Sequence, residues 1–201
     1  MADSAPLDAG SKTEAILVAA VRLFTQFGYR RTSMDDVARE AGVAKGTLYL
    51  YYAGKAEVFR AMQQRNVEDA EARCDEAEAA GDTFRERLAG VLDGNYGWMH
   101  ARYGASEHLS ELGVTRSTVG ADIAARSEAA YSSRLVRLFE AADQAGEINL
   151  SRSGLGAEDL TATVLAAARG AKQVSGEPVS PAAYHESLAR IAAMAAAAVR
   201  P

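Results

Sequence analysis

Two helical patterns that meet at a glycine restrict the fold of this chain more than any other feature. The first pattern follows Ser33 and ends at Ala41, and the second runs from Lys45 to about Tyr51. Gly42 between them permits the left-handed backbone conformation that a tight interhelical turn requires. Helices joined in this way cross at a steep angle rather than lying side by side. The segment therefore predicts a helix-turn-helix.

Neighbouring residues supply the packing that such a motif needs. Ala38 is the small residue where the two helices meet, and Val43 and Leu48 are the apolar residues that fix the second helix. Ser33 and Asp36 form a predicted capping box, with Asp36 in place of the usual Glu or Gln. A preceding helix runs from Lys12 to Gly28 on the apolar positions Ile16, Leu17, Ala20, Leu23, Phe24 and Phe27. These three helices form a predicted head, although similar packing also occurs in proteins that never bind DNA.

The remainder of the chain reads as helices separated by glycine- and proline-containing loops. The predicted spans are Lys55 to about Ala80, then residues 83–102, 105–112, 117–145, 157–174 and 182–199, with loops at 151–156 and 175–181. No strand-like alternation is present. We expect an all-α fold with a disordered tail (1–11), a helix-turn-helix domain (12–57) and a larger helical domain (58–201).

Charge is distributed unevenly along the chain. The net charge of the whole chain is −5, but residues 1–60 hold eight Lys and Arg against seven Asp and Glu, a balance of +1. Any contact with DNA phosphate is thus expected in the first part, through local placement of charge. The single cysteine, Cys74, excludes an internal disulfide and a zinc cluster. With no membrane-spanning run and no signal-like N-terminus, we expect a soluble, cytoplasmic protein without a cofactor.

Residues 32–52, TSMDDVAREAGVAKGTLYLYY, closely resemble the DNA-binding segment of the tetracycline-repressor-like (TetR/AcrR) family. Phe24 and Gly28-Tyr29 upstream, with Lys55 and Phe59 downstream, extend the resemblance from about residue 13 to residue 59. The resemblance implies that Leu48 and Tyr52 face inward. It also implies that seven residues contact DNA: Ser33, Lys45, Gly46, Thr47, Tyr49, Tyr51 and Lys55.

Two departures from the family pattern lie beside this segment. Ala44 stands where the family often has serine, so the recognition helix lacks a side-chain cap, whose loss typically costs about 1 kcal/mol. Tyr52-Ala53-Gly54 also differs from the common pattern. DNA binding is still expected despite these two departures, but the operator sequence cannot be derived from the chain.

The middle helices concentrate aromatic and polarizable side chains. We expect a small-molecule pocket there, because the resemblance implies an inducer, while ordinary core packing is the alternative. Arg102, Arg169 and Lys172 are candidates to pair with an anionic ligand, but surface ion pairs are the more usual role of such residues. The predicted lining residues are Tyr96, Met99, His100, Tyr103, His108 and Tyr131.

Metal binding and catalysis are the weaker alternatives. His108 and Glu111 lie three residues apart with Glu107 nearby, but a metal site needs further ligands that the sequence does not supply. A small helical enzyme using His100, His108 and Glu107 has no nucleophile motif, phosphate loop or paired carboxylates to support it. We therefore predict neither catalytic nor metal-binding residues.

The last two predicted helices are rich in alanine, which allows close helix approach. The resemblance implies that they build a two-fold homodimer as a four-helix bundle, which would bind a palindromic double-stranded operator and release it on binding an inducer. Packing within one chain is the alternative. The predicted interface residues are Leu160, Val164, Leu165, Ala168, Leu188, Ile191 and Met194.

Overall fold

Helices form nearly all of the chain that the structure describes, which is residues 9–174 and 177–201 of a computed structural model. They are α1 (Ala9–Phe27), α2 (Met34–Glu40), α3 (Lys45–Tyr51), α4 (Lys55–Ala80), α5 (Phe84–Leu92), α6 (Trp98–Tyr103), α7 (Leu109–Thr118), α8 (Ala121–Gln144), α9 (Leu150–Ser153), α10 (Ala157–Gly170) and α11 (Pro181–Ala198). A π-helical turn, Asp93–Gly97, joins α5 to α6. The predicted all-α class is confirmed.

The chain divides into two compact units. The sequence predicted one domain boundary, after residue 57, whereas the observed units are not continuous in sequence. The first unit, called the head below, contains residues 9–66 and also residues 106–124, which include α7. The second unit contains residues 67–105 and 125–201. Helices α4 and α8 each belong partly to both units. Of the predicted tail, residues 1–8 lie outside the described residues and residues 9–11 belong to α1.

Apolar side chains from the first four helices build the core of the head. Ile16 and Phe24 of α1 are fully buried, as are Leu48 of α3 and Val58 of α4. The ring of Phe24 lies 5.8 Å from that of Phe59, centroid to centroid. Burying an aliphatic or aromatic side chain of this size contributes about 1.5 to 3 kcal/mol. The spacing that predicted α1 and α3 therefore marks the residues that hold them together.

Glycines permit the two tight turns of the head. Gly28 follows α1 with φ +84°, and Gly42 separates α2 from α3 with φ +66°. The N–H of Val43 donates to the Ala38 carbonyl at 3.0 Å, which closes the turn after α2. Val43 itself is half-buried. The predicted left-handed conformation of Gly42 is confirmed.

The second unit is built around α5, α8, α10 and α11. Its fully buried side chains include Leu88, Leu135, Phe139 and Tyr184. Cys74 is also buried, and burial raises the pKa of its thiol to about 12, which keeps it protonated and unreactive at neutral pH. Cys74 therefore acts as a small apolar side chain of the core.

The predicted continuous helix over residues 83–102 is interrupted by the π-helical turn. Gly94 lies against the α4 backbone at Arg73, where an added Cβ would approach the Arg73 carbonyl carbon to 3.2 Å. At Gly97 an added Cβ would clash with the Asp93 carboxylate. Glycines at these positions thus let the π-helical turn pack closely against α4 and against Asp93. Hydrophobic spacing does not reveal such a change of helical register.

The helix predicted to extend to residue 174 ends at Gly170. Beyond it, strands β1 (Gln173–Val174) and β2 (Glu177–Pro178) pair antiparallel, with Gln173 opposite Pro178 and Val174 opposite Glu177. The N–H of Val179 donates to the Lys172 carbonyl at 3.1 Å. This reversal of the chain replaces the last turn of the predicted helix.

Candidate nucleic-acid interface

A capping box between Ser33 and Asp36 fixes the start of α2. The backbone N–H of Asp36 donates to Ser33 Oγ at 3.2 Å, and the backbone N–H of Ser33 donates to Asp36 Oδ2 at 3.0 Å. Hydrogen bonds from the Ser33 hydroxyl and the Ser33 backbone N–H to the Asp36 carboxylate lower the pKa of Asp36, because they favour its charged form. The Ser33 hydroxyl, a predicted DNA contact, donates to the same carboxylate at 2.6 Å. The predicted capping box is confirmed.

Helix α3 has one buried face and one exposed face. Leu48 is fully buried, whereas Lys45, Gly46 and Tyr49 are exposed. Thr47 and Tyr51 are half-buried. As expected, Ala44 makes no side-chain cap, so the packing of Leu48 is what orients the helix. The exposed face carries a cation, a hydroxyl and a phenol, which are groups that bind phosphates and base edges.

Lys45 and Asp35 form an ion pair on this exposed surface. Lys45 Nζ lies 2.8 Å from Asp35 Oδ1, and both side chains are more than half exposed. The hydrogen bond to Asp35 raises the pKa of Lys45. An exposed pair of this kind contributes little to stability. It nevertheless gives Lys45 an internal partner that any phosphate or base must displace.

Lys55 donates hydrogen bonds to the turn between α1 and α2. Its Nζ lies 2.8 Å from the Tyr29 carbonyl oxygen, 2.9 Å from that of Thr32 and 3.3 Å from that of Arg30. The ammonium also lies 4.5 Å from the centroid of the Tyr29 ring. Because an ammonium has three N–H donors, each has an acceptor inside the head. DNA contact by Lys55 stays a prediction, and the structure adds a role in holding this turn.

Glu111 of α7 contacts the same turn, which sequence reasoning missed. Its Oε1 accepts the backbone N–H of Arg30 at 2.7 Å. An added Cβ at Gly28 would lie 2.6 Å from Glu111 Oε2, so the carboxylate fills the space that the glycine leaves open. Burial lowers the pKa of Lys55, and the Glu111 charge opposes that shift. No local pattern links residues 28 and 111, so tertiary packing alone places them together.

The candidate metal ligands do not gather into a metal site. His108 Nδ1 lies 3.9 Å from Glu111 Oε2, and Glu107 is exposed. Within residues 9–174 and 177–201, no group of three or more His, Cys, Asp or Glu side chains is arranged to hold a metal ion. His100 belongs to the second unit, whereas Glu107 and His108 belong to the head.

Five of the six residues predicted for a ligand pocket lie in the second unit, on or beside the π-helical turn. The rings of Tyr96 and Tyr131 meet edge to face with centroids 5.6 Å apart. The Tyr131 hydroxyl donates to the Val91 carbonyl at 3.1 Å, and burial raises its pKa. His100 Nε2 lies 2.8 Å from the Val179 carbonyl oxygen, and Tyr103 is buried while Met99 is half-buried. Tyr96 and Tyr131 thus contact each other, and His108 lies in the head.

Two of the candidate basic residues flank Tyr96. Arg169 Nε donates to the Tyr96 hydroxyl at 3.3 Å, and its guanidinium also pairs with Glu128 at 2.9 Å. Lys172 Nζ lies 5.1 Å from the centroid of the Tyr96 ring. Arg102 instead lies over Trp98, 5.3 Å from the ring centroid. Positive charge is therefore present at the edge of the Tyr96 ring.

Most residues predicted for a dimer interface pack inside their own chain. Leu160, Val164, Leu165, Ala168 and Leu188 are at most 5% exposed and belong to the core of the second unit. Ile191 is half-buried, and Met194 is 73% exposed. The exposed faces of α10 and α11 carry mainly small side chains, among them Ala162, Ala166, Ala167, Ala189 and Ala197. We call these alanines and Met194 the small-residue face.

Residues 16–62 match the family model described as "Bacterial regulatory proteins, tetR family". The matched segment contains the capping box, Lys45, Lys55 and the buried Leu48. This N-terminal segment is a TetR-family domain. A TetR-like transcriptional regulator from Rhodococcus sp. RHA1 has the same fold over 93% of this chain and 96% of its own, with 26% sequence identity and a TM-score of 0.60.

Two curated TetR-type relatives match over shorter stretches. The regulator YhgD of Bacillus subtilis is 38% identical over 81 residues, which are 40% of this chain and 42% of the relative. The transcriptional repressor KstR of Mycolicibacterium smegmatis is 31% identical over 137 residues, which are 68% of this chain and 65% of the relative. The chain thus spans about half the length of the curated relatives that it matches. Across the described residues, no helix has the length and apolar character needed to cross a membrane.

Proposed function

We propose that the chain is a DNA-binding transcriptional regulator whose head inserts α3 into the major groove. The observation that carries the proposal is the orientation of α3, with Leu48 fully buried and Lys45, Gly46 and Tyr49 exposed. A helix held from one side by an apolar residue presents its other side as a rigid reading surface. Such a regulator would act in the cytoplasm, where its DNA is.

Lys45 would exchange one partner for another on binding. In the free head its ammonium pairs with Asp35 at 2.8 Å, and on DNA it would pair with a base edge or a phosphate. The Asp35 carboxylate would then lie near DNA and repel phosphate unless the new contact is well placed. This competition weakens binding to random DNA more than binding to an operator, which favours sequence selectivity.

We propose repression relieved by a small molecule as the regulatory mode. The name of KstR identifies that relative as a repressor, and the aromatic cluster around Tyr96 and Tyr131 supplies a candidate ligand site. A ligand changes DNA affinity only if it binds two arrangements of the protein with different affinities. The continuous helix α4, from Lys55 to Ala80, belongs to both units and is one covalent connection through which such a preference would pass.

A homodimer would place two heads on the two halves of a palindromic operator. The small-residue face supplies the candidate contact, because alanine side chains let helices of two copies approach closely. Met194 is a large apolar side chain that is 73% exposed in one chain, and covering it with a second copy would remove apolar surface from water. Each copy would present the same face to its partner, as two-fold symmetry requires.

Selection of bound sequences from random double-stranded DNA tests the proposal. We expect a palindromic consensus and release of that DNA by some members of a panel of small hydrophobic and anionic compounds. Binding of all sequences with equal affinity, or turnover of a panel compound, would contradict the proposed function. A consensus that no compound releases would contradict the ligand-responsive part alone.

Lys45→Ala is expected to relax the preference at one operator position by about 1 to 3 kcal/mol, because residues near the start of a recognition helix reach base edges. Affinities for single-base operator variants at several salt concentrations measure this. Arg190→Ala is the matched control, since it removes one exposed cation from α11 of the second unit. Equal loss of affinity for every sequence in Lys45→Ala would assign the lysine to phosphate instead.

A further inference from the structure

Leu50 is the most exposed large apolar side chain in the part of the chain that the structure describes. It is 86% exposed, compared with 73% for Met194 and 55% for Val114. Leu50 lies on α3, two residues after the fully buried Leu48. Since successive helical residues are rotated by about 100°, the two leucines point in nearly opposite directions. Leu50 is therefore at the centre of the outward face of α3.

Gly46 lies one helical turn before Leu50 on the same outward face. An added Cβ at Gly46 would meet no atom within 4 Å, and its backbone is not in the left-handed region. Packing within the head thus gives no reason for a glycine at this second residue of α3. A partner outside the chain that approaches the α3 backbone closely would give one.

The surroundings of this face identify the chemistry of the partner. Lys45 and Tyr49, which flank the outward row formed by Gly46 and Leu50, are exposed and polar at their ends. A leucine side chain neither donates nor accepts hydrogen bonds, so among these groups it adds only apolar contact. On the major-groove edges of DNA the apolar group is the C5 methyl of thymine.

We propose that Leu50 reads the methyl group of a thymine in each half-site, with Gly46 allowing α3 to approach the base edges. This inference rests on the proposed DNA-binding function and adds a specificity-determining residue to it. The contact forms as the leucine side chain and the methyl group leave water together. Because Leu50 makes no hydrogen bond to the base, removal of the thymine methyl group alone is expected to abolish the preference for thymine at that position.

Replacement of single thymines by deoxyuridine tests the inference, since it removes only the methyl group. In the selected operator we expect one thymine per half-site at which this change weakens binding by about fourfold, the factor expected for burying one methyl group. Leu50→Ala is expected to bind the thymine and uracil operators equally at that position. Discrimination at other thymines is expected to remain.

Val114→Ala is the matched control, because Val114 is an exposed apolar residue of the head on α7 rather than on α3. Leu50→Ala is expected to melt at the wild-type temperature, since the side chain is exposed. The inference is overturned if wild-type protein ignores the methyl at every thymine, or if Leu50→Ala keeps the full thymine preference. It is also overturned if Leu50→Ala alters the oligomeric state, because the leucine would then contact a second copy. Failure to select any operator would instead contradict the proposed function.

Discussion

Replacing Lys55 with methionine is expected to lower the free energy of unfolding of the head by about 3 kcal/mol. The ammonium donates to three carbonyl oxygens between Tyr29 and Thr32, at distances of 2.8 to 3.3 Å. Methionine keeps most of the apolar stem but leaves these acceptors without their donor. Hydrogen bonds to a charged group contribute about 1.5 to 3 kcal/mol each, and acceptors that regain water recover part of that loss.

Amide hydrogen exchange of the full-length chain in urea measures this effect. Trp98, the single tryptophan, belongs to the second unit, so its fluorescence follows that unit rather than the head. Lys45→Met is the matched control, because the Lys45–Asp35 pair is exposed and its loss is expected to cost under about 0.5 kcal/mol. The structural role of Lys55 is contradicted if the variant is as stable as wild type. If that variant also binds all DNA more weakly, with the salt slope lowered by about one, Lys55 contacts phosphate.

Local sequence signals predicted the elements that carry the reading surface. The capping box at Ser33 and Asp36, the turn at Gly42 and the inward position of Leu48 depend on residues within a few positions of each other. Short-range hydrogen bonds and backbone preferences decide such features, so spacing along the chain reveals them. Such signals do not predict the structural role of Lys55, because its carbonyl acceptors lie 23 to 26 residues away in the sequence.

Features that depend on distant packing were not predictable in the same way. Within the head, the contact of Glu111 with Gly28 and Arg30 joins α7 to the turn after α1, and Arg30 and Glu111 are 81 residues apart in the sequence. The short helix α9 lies where the sequence predicts a loop. The π-helical turn interrupts a segment for which hydrophobic spacing predicts one continuous helix. In each case the geometry is set by the element packed against it, which a single sequence does not specify.

The apolar pattern of the alanine-rich helices is compatible with two kinds of packing. Leu160, Val164 and Leu188 form helical stripes that fit either an intermolecular interface or a core. In the structure these large side chains fill the core of the second unit, while Ala162, Ala166 and Ala167 of α10 are exposed. Periodicity identifies the faces of a helix but not the partner of each face, which depends on the other helices packed around it.

Met194→Arg is expected to convert the proposed dimer to a monomer and to weaken operator binding by at least about 100-fold. In one chain the Met194 side chain is 73% exposed on α11, within the small-residue face. A two-fold interface would bring the same region of two copies together, so the substitution would place two positive charges in one apolar contact. Burial of unpaired charge is far more costly than loss of the methionine contact. A monomer binds only one half-site at a time. It therefore lacks the additional affinity that a dimer gains by linking two heads.

Sedimentation at micromolar concentration gives the oligomeric state of the variant, and titration with the palindromic operator gives its affinity. Val114→Arg is the control, because it also puts arginine at an exposed apolar position, but on α7. A single half-site provides the decisive comparison. Since the head is untouched, the variant is expected to bind one half-site as the wild-type head does, and only the advantage of the palindrome is lost. A Met194→Arg protein that stays dimeric would exclude the small-residue face around Met194 as the interface. A wild-type chain that is already monomeric and still prefers the palindrome would require two independently bound copies instead.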